Sequence, residues 1–360
     1  MVPQSCVERV HDVFMDYTYD QLVDRKDLLF IDVRSQKEFN ESTIPGAVNI
    51  PLFSDEERAI IGTIYKQESP DKARDVGLTI ASAKIPAIIS QVKEVSEQGR
   101  AVVFCWRGGM RSKTVATLAD LMNIPIIRLT GGYRAYRQYV VAYFERMLPG
   151  DVPPLIVLHG MTGVGKTMIL HELVKRGEPV LDLELFAQHR GSVFGGIGLD
   201  VANQRQFDAR LFHKLQEVSQ VPYLFIEAES RRIGRVSMPE FLFEAKRKGT
   251  NIEITAPLDL RVKRTLAQYK VADEDLWHRE FEGAVSRIEK RFAPDMRKQV
   301  REYLEQRQYD PVIAMIIAHY YDPMYRHAMD SYERDFVTVE AVTIADAADQ
   351  IQKISHGLLR

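Results

Sequence analysis

Residues 155–167 read LIVLHGMTGVGKT, an apolar strand followed by the pattern Gly, four residues, Gly-Lys-Thr. Each residue type in this pattern contributes a different interaction with a bound phosphate. The glycines expose backbone N–H groups to a diphosphate, Lys166 adds positive charge, and Thr167 can ligate Mg²⁺. A helical pattern follows from Met168 to Lys175, which is the context this loop requires. We therefore predict a phosphate site made of Gly160, Thr162, Gly163, Val164, Gly165, Lys166 and Thr167.

A second loop, upstream of the first, carries a cysteine. Residues 101–112 read AVVFCWRGGMRS, in which an apolar run ends at Cys105 and a helical pattern follows. Thiolates are stabilised by positive charge and by the free N–H groups at a helix start, and adjacent glycines let several amides converge on one anion. A buried cysteine that only packs at a strand end is the alternative. We predict that Cys105 is a nucleophile in an anion loop of Trp106, Arg107, Gly108, Gly109, Met110 and Arg111.

Short apolar runs alternate with helical stretches, which predicts an α/β fold with parallel sheets. The segment 147–154 is rich in proline and glycine and predicts a boundary between an amino-terminal domain, 1–147, and a carboxy-terminal domain, 148–360. From about Asp273 to Tyr332 the pattern is mostly helical, which predicts a helical extension of the second domain. The predicted strands are Leu28–Ile31, Ala101–Phe104, Ile126–Leu129, Leu155–Leu158, Val180–Leu181, Tyr223–Ile226 and Asn251–Ile254.

Composition and charge argue against several classes of protein. The 360 residues are 45% hydrophobic with a formal net charge of −2, which allows two or three domains and gives no global positive field for nucleic acid. Two cysteines, Cys6 and Cys105, argue against a disulfide framework and fit a reducing cytoplasm. The start of the chain lacks signal-peptide features, and the apolar stretch Pro311–Tyr321 is too short for a bilayer. We expect a cytoplasmic protein with no membrane partner.

Charged residues that follow the predicted strands are candidates to support the phosphate loop. Asp182 and Glu227 are the candidate acids, and each could instead only cap the end of a strand. Arg231, Arg232 and Arg235 follow Glu227 and are our candidates for substrate contact. The alternative for these arginines is a solvated surface.

Two further segments fit more than one interpretation. Arg261 and Arg264, one helical turn apart, resemble the phosphate-facing arginines of small nucleotide kinases, but they fit a solvated helix face equally well. The glycine-rich segment 190–198 either closes over a ligand or forms a long turn. No set of His, Cys and Asp residues has the spacing of a zinc site. We therefore predict no protein metal site and no tightly bound cofactor, with Mg²⁺ allowed as a companion of the phosphates.

The amino-terminal part resembles the rhodanese family in Asp32-Val33-Arg34, in Ile44–Pro51, in the Cys105 loop and in Leu129–Tyr133. In rhodaneses the loop cysteine carries sulfur or selenium, and the resemblance implies that role for Cys105. The loop is one residue longer than in ordinary sulfurtransferases and is similar in length to that of the phosphatase branch of the fold. A phosphate-sized anion is therefore a reasonable ligand. For Asp32 and Arg34, a structural ion pair is favoured over direct chemistry.

A rhodanese-like domain joined to a P-loop NTPase-like domain resembles one family in particular, tRNA 2-selenouridine synthase. The resemblance covers nearly the whole chain and is anchored by the segments 105–112, 160–167, 190–192 and 229–234. It implies that selenium replaces sulfur in the wobble 2-thiouridine of tRNA. It also implies selenophosphate as the selenium donor and an S-geranyl intermediate made from geranyl diphosphate.

The resemblance also implies roles for individual residues. Cys105 is expected to carry selenium as S-selanylcysteine, and Arg107 and Arg111 to hold selenophosphate or stabilise the thiolate. Segment 160–167 is expected to cradle the diphosphate of geranyl diphosphate. The activity would be that of a selenotransferase with geranyltransferase activity, and the enzyme that makes selenophosphate is a candidate partner. The sequence leaves open the tRNA-binding surface, the position of the geranyl chain, and whether the loop holds geranyl diphosphate, selenophosphate or ATP.

Two other functional classes remain open. Cys, five residues, Arg also serves protein phosphatases, which react through a cysteinyl phosphate, and activity on an aryl phosphate would identify one. A nucleotide-binding regulator would use the rhodanese-like domain only as a binding module. Tight ATP binding with no effect of Cys105→Ser would point to that class.

Overall fold

The computed structural model describes residues 14–329 and 336–358, so Cys6 and Tyr332 lie outside the described residues. The chain divides into an amino-terminal unit, Met1–Glu145, and a carboxy-terminal unit, Arg146–Arg360. Each unit contains a parallel sheet with helices. This confirms the predicted fold class, a rhodanese-like domain and a P-loop-like α/β domain with a helical region.

The described elements of the amino-terminal unit follow in chain order. They are β1 (Met15–Tyr17), β2 (Leu28–Asp32), α1 (Gln36–Glu41), β3 (Val48–Asn49), α2 (Asp55–Gln67), α3 (Pro70–Ser82), α4 (Ile85–Gln98), β4 (Arg100–Phe104), α5 (Met110–Leu121), β5 (Ile126–Leu129) and α6 (Gly132–Arg146).

Strand β4 lies in the middle of this sheet, whose order is β1-β5-β4-β2-β3. Its last four residues, 101–104, are fully buried, as expected for a central parallel strand that reads as a continuous apolar run. Asp32 pairs in register with Phe104. The carboxyl ends of β2 and β4 therefore meet at one edge of the sheet, which is where ligand sites form in such folds.

The helices α2, α3 and α4 were not among the sequence predictions, although α2 and α3 have serine caps that the sequence shows. The Ser54 side chain accepts a hydrogen bond from the Glu57 amide at the start of α2, and Ser69 caps α3 just before Pro70. Helix α4 buries Ile88 in the same core cluster as the residues of β4. The long connection between β3 and β4 thus covers the sheet that carries Cys105.

The described elements of the carboxy-terminal unit also follow in chain order. They are β6 (Leu155–His159), α7 (Lys166–Lys175), β7 (Val180–Leu181), α8 (Leu183–Ala187), α9 (Gln204–Glu217), β8 (Leu224–Glu227), β9 (Arg232–Ile233), β10 (Val236–Ser237), α10 (Glu240–Arg247), β11 (Thr250–Thr255), α11 (Leu258–Tyr269), α12 (Glu274–Ile288), α13 (Pro294–Glu305), α14 (Tyr309–Ile316), a π-helical turn (Ile317–Tyr321), α15 (Asp322–Met329), β12 (Val337–Glu340) and α16 (Ile344–Leu358).

The parallel sheet of this unit has the order β12-β11-β6-β8-β7. All residues of β6 are buried, and Leu158 pairs in register with Glu227 at the end of β8. The loop that follows β6 and the acid that ends β8 therefore share one sheet edge. Strands β9 and β10 form a separate antiparallel hairpin.

Every predicted strand is present, but β1, β3, β9, β10 and β12 were missed. The first four have only two or three residues each and are too short to show a periodic pattern, and β12 is a sheet edge with mostly exposed residues. The predicted helical extension consists of α12 to α15 within the described residues. None of the described helices combines the length and apolar character needed to cross a membrane.

Two glycine-rich turns of the amino-terminal unit pack directly on each other. Gly108 in the cysteine loop and Gly132 after β5 both have left-handed backbones, with φ values of +63° and +61°. A Cβ atom added at Gly132 would lie 2.1 Å from the Cys105 carbonyl oxygen and 2.5 Å from the Gly108 nitrogen. The Tyr133 amide donates to the Cys105 carbonyl at 2.8 Å. The turn after β5 therefore holds the base of the cysteine loop.

We expect Gly132→Ala to lower the free energy of unfolding by about 2 kcal/mol or more, because alanine clashes with backbone there and disfavours positive φ. The measurement is chemical denaturation of the full chain. Gly109→Ala is the control, since an added Cβ at Gly109 meets nothing within 4 Å. Equal effects of the two substitutions would contradict the packing argument.

Candidate functional site

The phosphate loop lies between β6 and α7 and uses its glycines for shape. Gly160, Gly163 and Gly165 have positive φ values of +149°, +81° and +102°. A Cβ added at Gly163 would lie 2.5 Å from the Arg261 carbonyl oxygen. The loop is thus pressed against α11, and a side chain at Gly163 has no space.

Two arginines of α11 brace this loop through its backbone. The Arg261 Nε donates to the Thr162 carbonyl at 2.9 Å, while its Nη2 lies 2.5 Å from Oδ1 of Asp322. The Arg264 Nη1 donates to the Val164 carbonyl at 2.8 Å, and Nη2 reaches carbonyls that follow β12. Neither sequence interpretation describes Arg261 well, because its buried guanidinium is committed to this ion pair and carbonyl.

The cationic and hydroxyl side chains of the loop lie close to polar neighbours. The Lys166 Nζ donates to the Gly160 carbonyl at 2.7 Å, and the Thr167 hydroxyl donates to Oε2 of Glu184 at 3.0 Å. An incoming phosphate can exchange for the carbonyl contact of Lys166. Thr167 already points to the acidic side of the site.

Three glutamates gather next to Thr167. Ligand atoms of Glu184, Glu227 and Glu229 all lie within 4.8 Å of one another. Burial, followed by repulsion from Glu227 and Glu229, raises the pKa of Glu184 well above its ordinary value. Burial raises the pKa of Glu227 to about 8, against the opposing attraction of Lys166. Nearby positive charge, chiefly that of Lys166, is therefore too small to keep all three carboxyl groups ionised at ordinary pKa values.

The donor set of this cluster fits a hard cation such as Mg²⁺, which prefers carboxylate and hydroxyl oxygens. Among the described residues, the buried Oε1 atom of Glu227 has no hydrogen-bond partner. Gly191 lies against the cluster, since an added Cβ would lie 2.7 Å from Oε1 of Glu184 and 2.8 Å from Oε2 of Glu229. The absence of a protein metal site stays a prediction. It was based on the spacing of histidine, cysteine and aspartate, and a group of glutamates assembled from separate segments has no such spacing.

The predicted companion acids have different positions. Glu227 belongs to the cluster, but Asp182 caps α8, where its Oδ1 accepts from the Leu185 amide at 2.8 Å and its Oδ2 lies 2.9 Å from His171 Nε2. The acid that faces Thr167 is Glu184, two residues further along. Sequence reasoning missed Glu184 because it considered only acids that directly follow strands.

A buried lysine, which was not among the predicted site residues, holds the backbone of the cluster. The Lys246 Nζ donates to the backbone carbonyl of Glu229. Burial lowers the pKa of Lys246 to about 8, while the charge of Glu229 opposes that shift. Lys246 therefore fixes the backbone from which the third glutamate projects.

A cavity of about 310 Å³ opens beside the phosphate loop and the glutamates. The segment Arg190–Ser192 also lines it. The Arg190 guanidinium lies 5.5 Å from the ring centre of Tyr269, and the Ser192 hydroxyl lies 2.8 Å from the Tyr269 hydroxyl. Of the two interpretations of segment 190–198, the structure therefore favours a role at a ligand site.

The predicted substrate-contact arginines lie outside this lining, on the β9–β10 hairpin. Arg231, Arg232 and Arg235 are all exposed. Arg231 pairs with Glu240 at 2.5 Å, and the other two donate to backbone carbonyls. The hairpin follows Ser230, which does line the cavity, so these arginines lie near it in sequence without forming its wall.

In the amino-terminal unit, Cys105 directly follows β4 at the base of its loop and is buried. Its Sγ lies 3.3 Å from the Ser112 hydroxyl in the first turn of α5. A hydroxyl at this distance can donate to a thiolate. Helix α5 begins at Met110, so a helix start lies within the loop, as the anion-site prediction requires.

The arginines around this loop differ in their attachments. Arg111 pairs with Glu38 at 2.6 Å, whereas Arg107 is exposed and has no ion pair within the described residues. Arg128, which the sequence analysis missed, donates to the Gly108 carbonyl at 3.2 Å and pairs with Asp16 at 2.6 Å. Arg107 is therefore the cation best able to move to an incoming anion.

The predicted ion pair of Asp32 and Arg34 is present and buried. Nε and Nη2 of Arg34 lie 2.9 and 2.6 Å from the two carboxylate oxygens of Asp32, and Nη2 also donates to the Ser42 carbonyl. The guanidinium lies 4.4 Å from the ring centre of Tyr133. This arrangement supports the structural interpretation of the pair.

Comparison with known proteins identifies both units. The family model described as tRNA 2-selenouridine synthase AAA domain matches residues 153–353, and that of the rhodanese-like domain matches residues 16–139. The chain is 30% identical to the tRNA 2-selenouridine synthase of Nitrosomonas europaea over 343 residues, covering 83% of this chain and 88% of that protein. It is 32% identical to the tRNA 2-selenouridine synthase of Hydrogenovibrio crunogenus, covering 84% and 90%.

We expect Glu227→Gln to stabilise the Mg²⁺-free protein near pH 8. Because the pKa of Glu227 is higher in the folded than in the unfolded state, the folded state holds its proton more tightly. The stability that this proton contributes is fully present below the ordinary glutamate pKa and is lost as pH rises through about 8. Removing the charge should recover roughly 2–4 kcal/mol at the upper end of that interval. The measurement is chemical denaturation in chelator between about pH 5 and pH 8.

The control for this measurement is Glu217→Gln, which alters an exposed glutamate paired with Lys214. It should leave the pH profile unchanged. Added Mg²⁺ should stabilise wild type more than Glu227→Gln, because the cation needs the carboxylate. A wild-type stability that rises across the interval in chelator would contradict the assignment.

Proposed function

Because the chain belongs to the tRNA 2-selenouridine synthase family, we propose that it replaces sulfur with selenium in the wobble 2-thiouridine of tRNA. We further propose that selenophosphate is the donor and that S-geranyl-2-thiouridine is the intermediate. The observation that carries this proposal is the presence of two anion loops in one chain. One contains a cysteine, and the other lies beside a carboxylate cluster.

The phosphate loop is the proposed site of geranyl transfer. The sulfur of 2-thiouridine attacks C1 of geranyl diphosphate, a carbon–sulfur bond forms, and the carbon–oxygen bond to the diphosphate breaks. The electron pair leaves with the diphosphate, so negative charge develops on the leaving group. Lys166 and the glycine amides are positioned to stabilise that charge. A Mg²⁺ ion held by Thr167 and the three glutamates would supply further positive charge there.

The Cys105 loop is the proposed site of selenium handling. A loop that ends in a helix start, with Arg107 free to approach, suits a tetrahedral anion such as selenophosphate. S-selanylcysteine, the state that the resemblance implies for Cys105, forms from selenophosphate only with a two-electron oxidant, so we propose instead that the Cys105 loop holds selenophosphate itself. The selenium of selenophosphate bonds to C2 of the modified base, the bond between C2 and sulfur breaks, and geranyl thiol leaves with the electron pair and a proton from water. Water then breaks the selenium–phosphorus bond and phosphate leaves, so that selenium stays on C2. Geranylation helps because a thioether sulfur leaves more readily than a thiocarbonyl sulfur.

We propose that the exposed arginines of the β9–β10 hairpin contact the phosphates of tRNA. Arg231, Arg232 and Arg235 follow the cavity residues Glu229 and Ser230, and arginine suits phosphate contact. We also propose a cytoplasmic location, where tRNA is found, and the selenophosphate-producing enzyme as a partner.

We expect Cys105→Ala and Lys166→Ala to block different steps. Purified protein is incubated with 2-thiouridine tRNA, geranyl diphosphate, selenophosphate and Mg²⁺, and nucleosides are measured by mass spectrometry. Cys105→Ala should accumulate the geranylated nucleoside. Lys166→Ala should slow geranylation by roughly 100-fold, the typical effect of removing one transition-state contact.

The control is Lys175→Ala, at the exposed end of the same helix α7, which should keep both activities. Full geranylation by Lys166→Ala would refute the diphosphate assignment. A wild-type protein that leaves the tRNA unchanged but hydrolyses ATP or an aryl phosphate would refute the proposed function.

A further inference from the structure

The residues that line the cavity beside the phosphate loop fall into two chemically different sets. The first set consists of the loop and the glutamate cluster. The second set includes Tyr269 of α11, Tyr321 of the π-helical turn, and Met324 and Tyr325 of α15, with Met168 of α7 as a further apolar lining residue. A diphosphate group needs only the first set. The cavity therefore fits an amphiphilic ligand.

Two of the tyrosine hydroxyls in the second set are used by the Arg190–Ser192 segment and its neighbour. The Tyr269 hydroxyl lies 2.8 Å from that of Ser192, and the Tyr321 hydroxyl accepts from the Val193 amide at 2.9 Å. These contacts fix the two rings. They also engage the polar atoms, so these rings contribute mainly carbon surface to a ligand.

Two methionines on this lining are exposed. Met168 keeps 45% of its surface accessible and Met324 keeps 52%. Met168 directly follows Thr167, so its side chain begins one residue from the phosphate site. Methionine is flexible and polarisable and adapts to irregular apolar ligands. Exposed apolar groups that border a cavity mark a binding surface.

We propose that Met168, Met324 and the rings of Tyr269, Tyr321 and Tyr325 form a slot for the isoprenoid chain of the diphosphate ester. This inference rests on the proposed function, because the phosphate loop must hold the diphosphate end. It names the residues that select an apolar chain over a free phosphate. The chain lies along α11 and α15, and its C1 atom stays beside the phosphate loop, where transfer occurs.

A nucleotide is the competing ligand of a phosphate loop, and the lining favours the isoprenoid. Recognition of a base needs donors and acceptors for its polar edge, and among the described lining residues outside the phosphate loop only Gln268 offers a side-chain amide. The guanidinium groups of Arg190 and Arg264 already donate to backbone carbonyls. The two methionines and three tyrosines contribute mainly carbon surface. Apolar contact is thus the dominant interaction available.

The test is isothermal titration calorimetry of the full chain with Mg²⁺, using geranyl diphosphate, dimethylallyl diphosphate, inorganic diphosphate and ADP. In wild type, affinity should rise with chain length, and geranyl diphosphate should bind roughly tenfold or more tightly than inorganic diphosphate. The double variant Met168→Gln/Met324→Gln keeps side-chain length but adds polar groups. It should lose most of this preference while binding inorganic diphosphate like wild type.

The matched control is Val174→Gln, an exposed apolar residue of α7 that does not line the cavity, and it should behave like wild type. If diphosphate binds but the geranyl group adds nothing, or the double variant keeps the preference, the slot is wrong and the phosphate-loop assignment stands. If ADP binds most tightly, a nucleotide occupies the cavity and the slot is wrong. If no diphosphate ligand binds, the slot falls together with the phosphate-loop part of the proposed function.

Discussion

The buried ion pair of Arg261 and Asp322 is the interaction on which the carboxy-terminal unit depends. The same guanidinium also donates to the Thr162 carbonyl at 2.9 Å. One side chain therefore sets the curve of the phosphate loop, the position of α11 and the start of α15. Loss of either partner would leave an unpaired buried charge, which is strongly unfavourable. The phosphate end of the cavity and its apolar wall are consequently coupled, because α11 and α15 contribute to both.

Both anion loops are shaped before any ligand arrives. Gly108 rests on the turn after β5, and Gly163 rests on the backbone of α11, so in each loop a left-handed glycine lies where neighbouring backbone leaves no space for a side chain. A loop held in this way needs little reorganisation when charge develops on its ligand. The glutamate cluster has the opposite character. Its buried carboxylates repel one another, and this instability is the reason it suits a cation.

The sequence predicted the sites whose residues lie in one stretch of the chain, and it missed the contacts that form between separate elements of the fold. Both loops were readable because all their residues lie in one stretch between a strand and a helix. Glu184 was missed because its proximity to Thr167 depends on β8 lying between β6 and β7, an order that no local pattern reveals. Helical spacing showed that Arg261 and Arg264 share a face, but it did not show that this face meets the phosphate loop. Arg128 was missed for the same reason, since its contact with Gly108 crosses between strands.

The π-helical turn Ile317–Tyr321 contains one residue more than an α-helical path would need. Deleting a single residue there would return the segment to α-helix and leave the helix that follows near its present orientation. Asp322 would keep its pair with Arg261, and Met324 would keep its place in the cavity wall. A deletion in the regular helix on either side would instead rotate α15 by about 100° relative to α14. The turn is therefore the one point of the described helical region at which the chain can lose a residue and keep the cavity, and homologues one residue shorter are expected to lack that residue there.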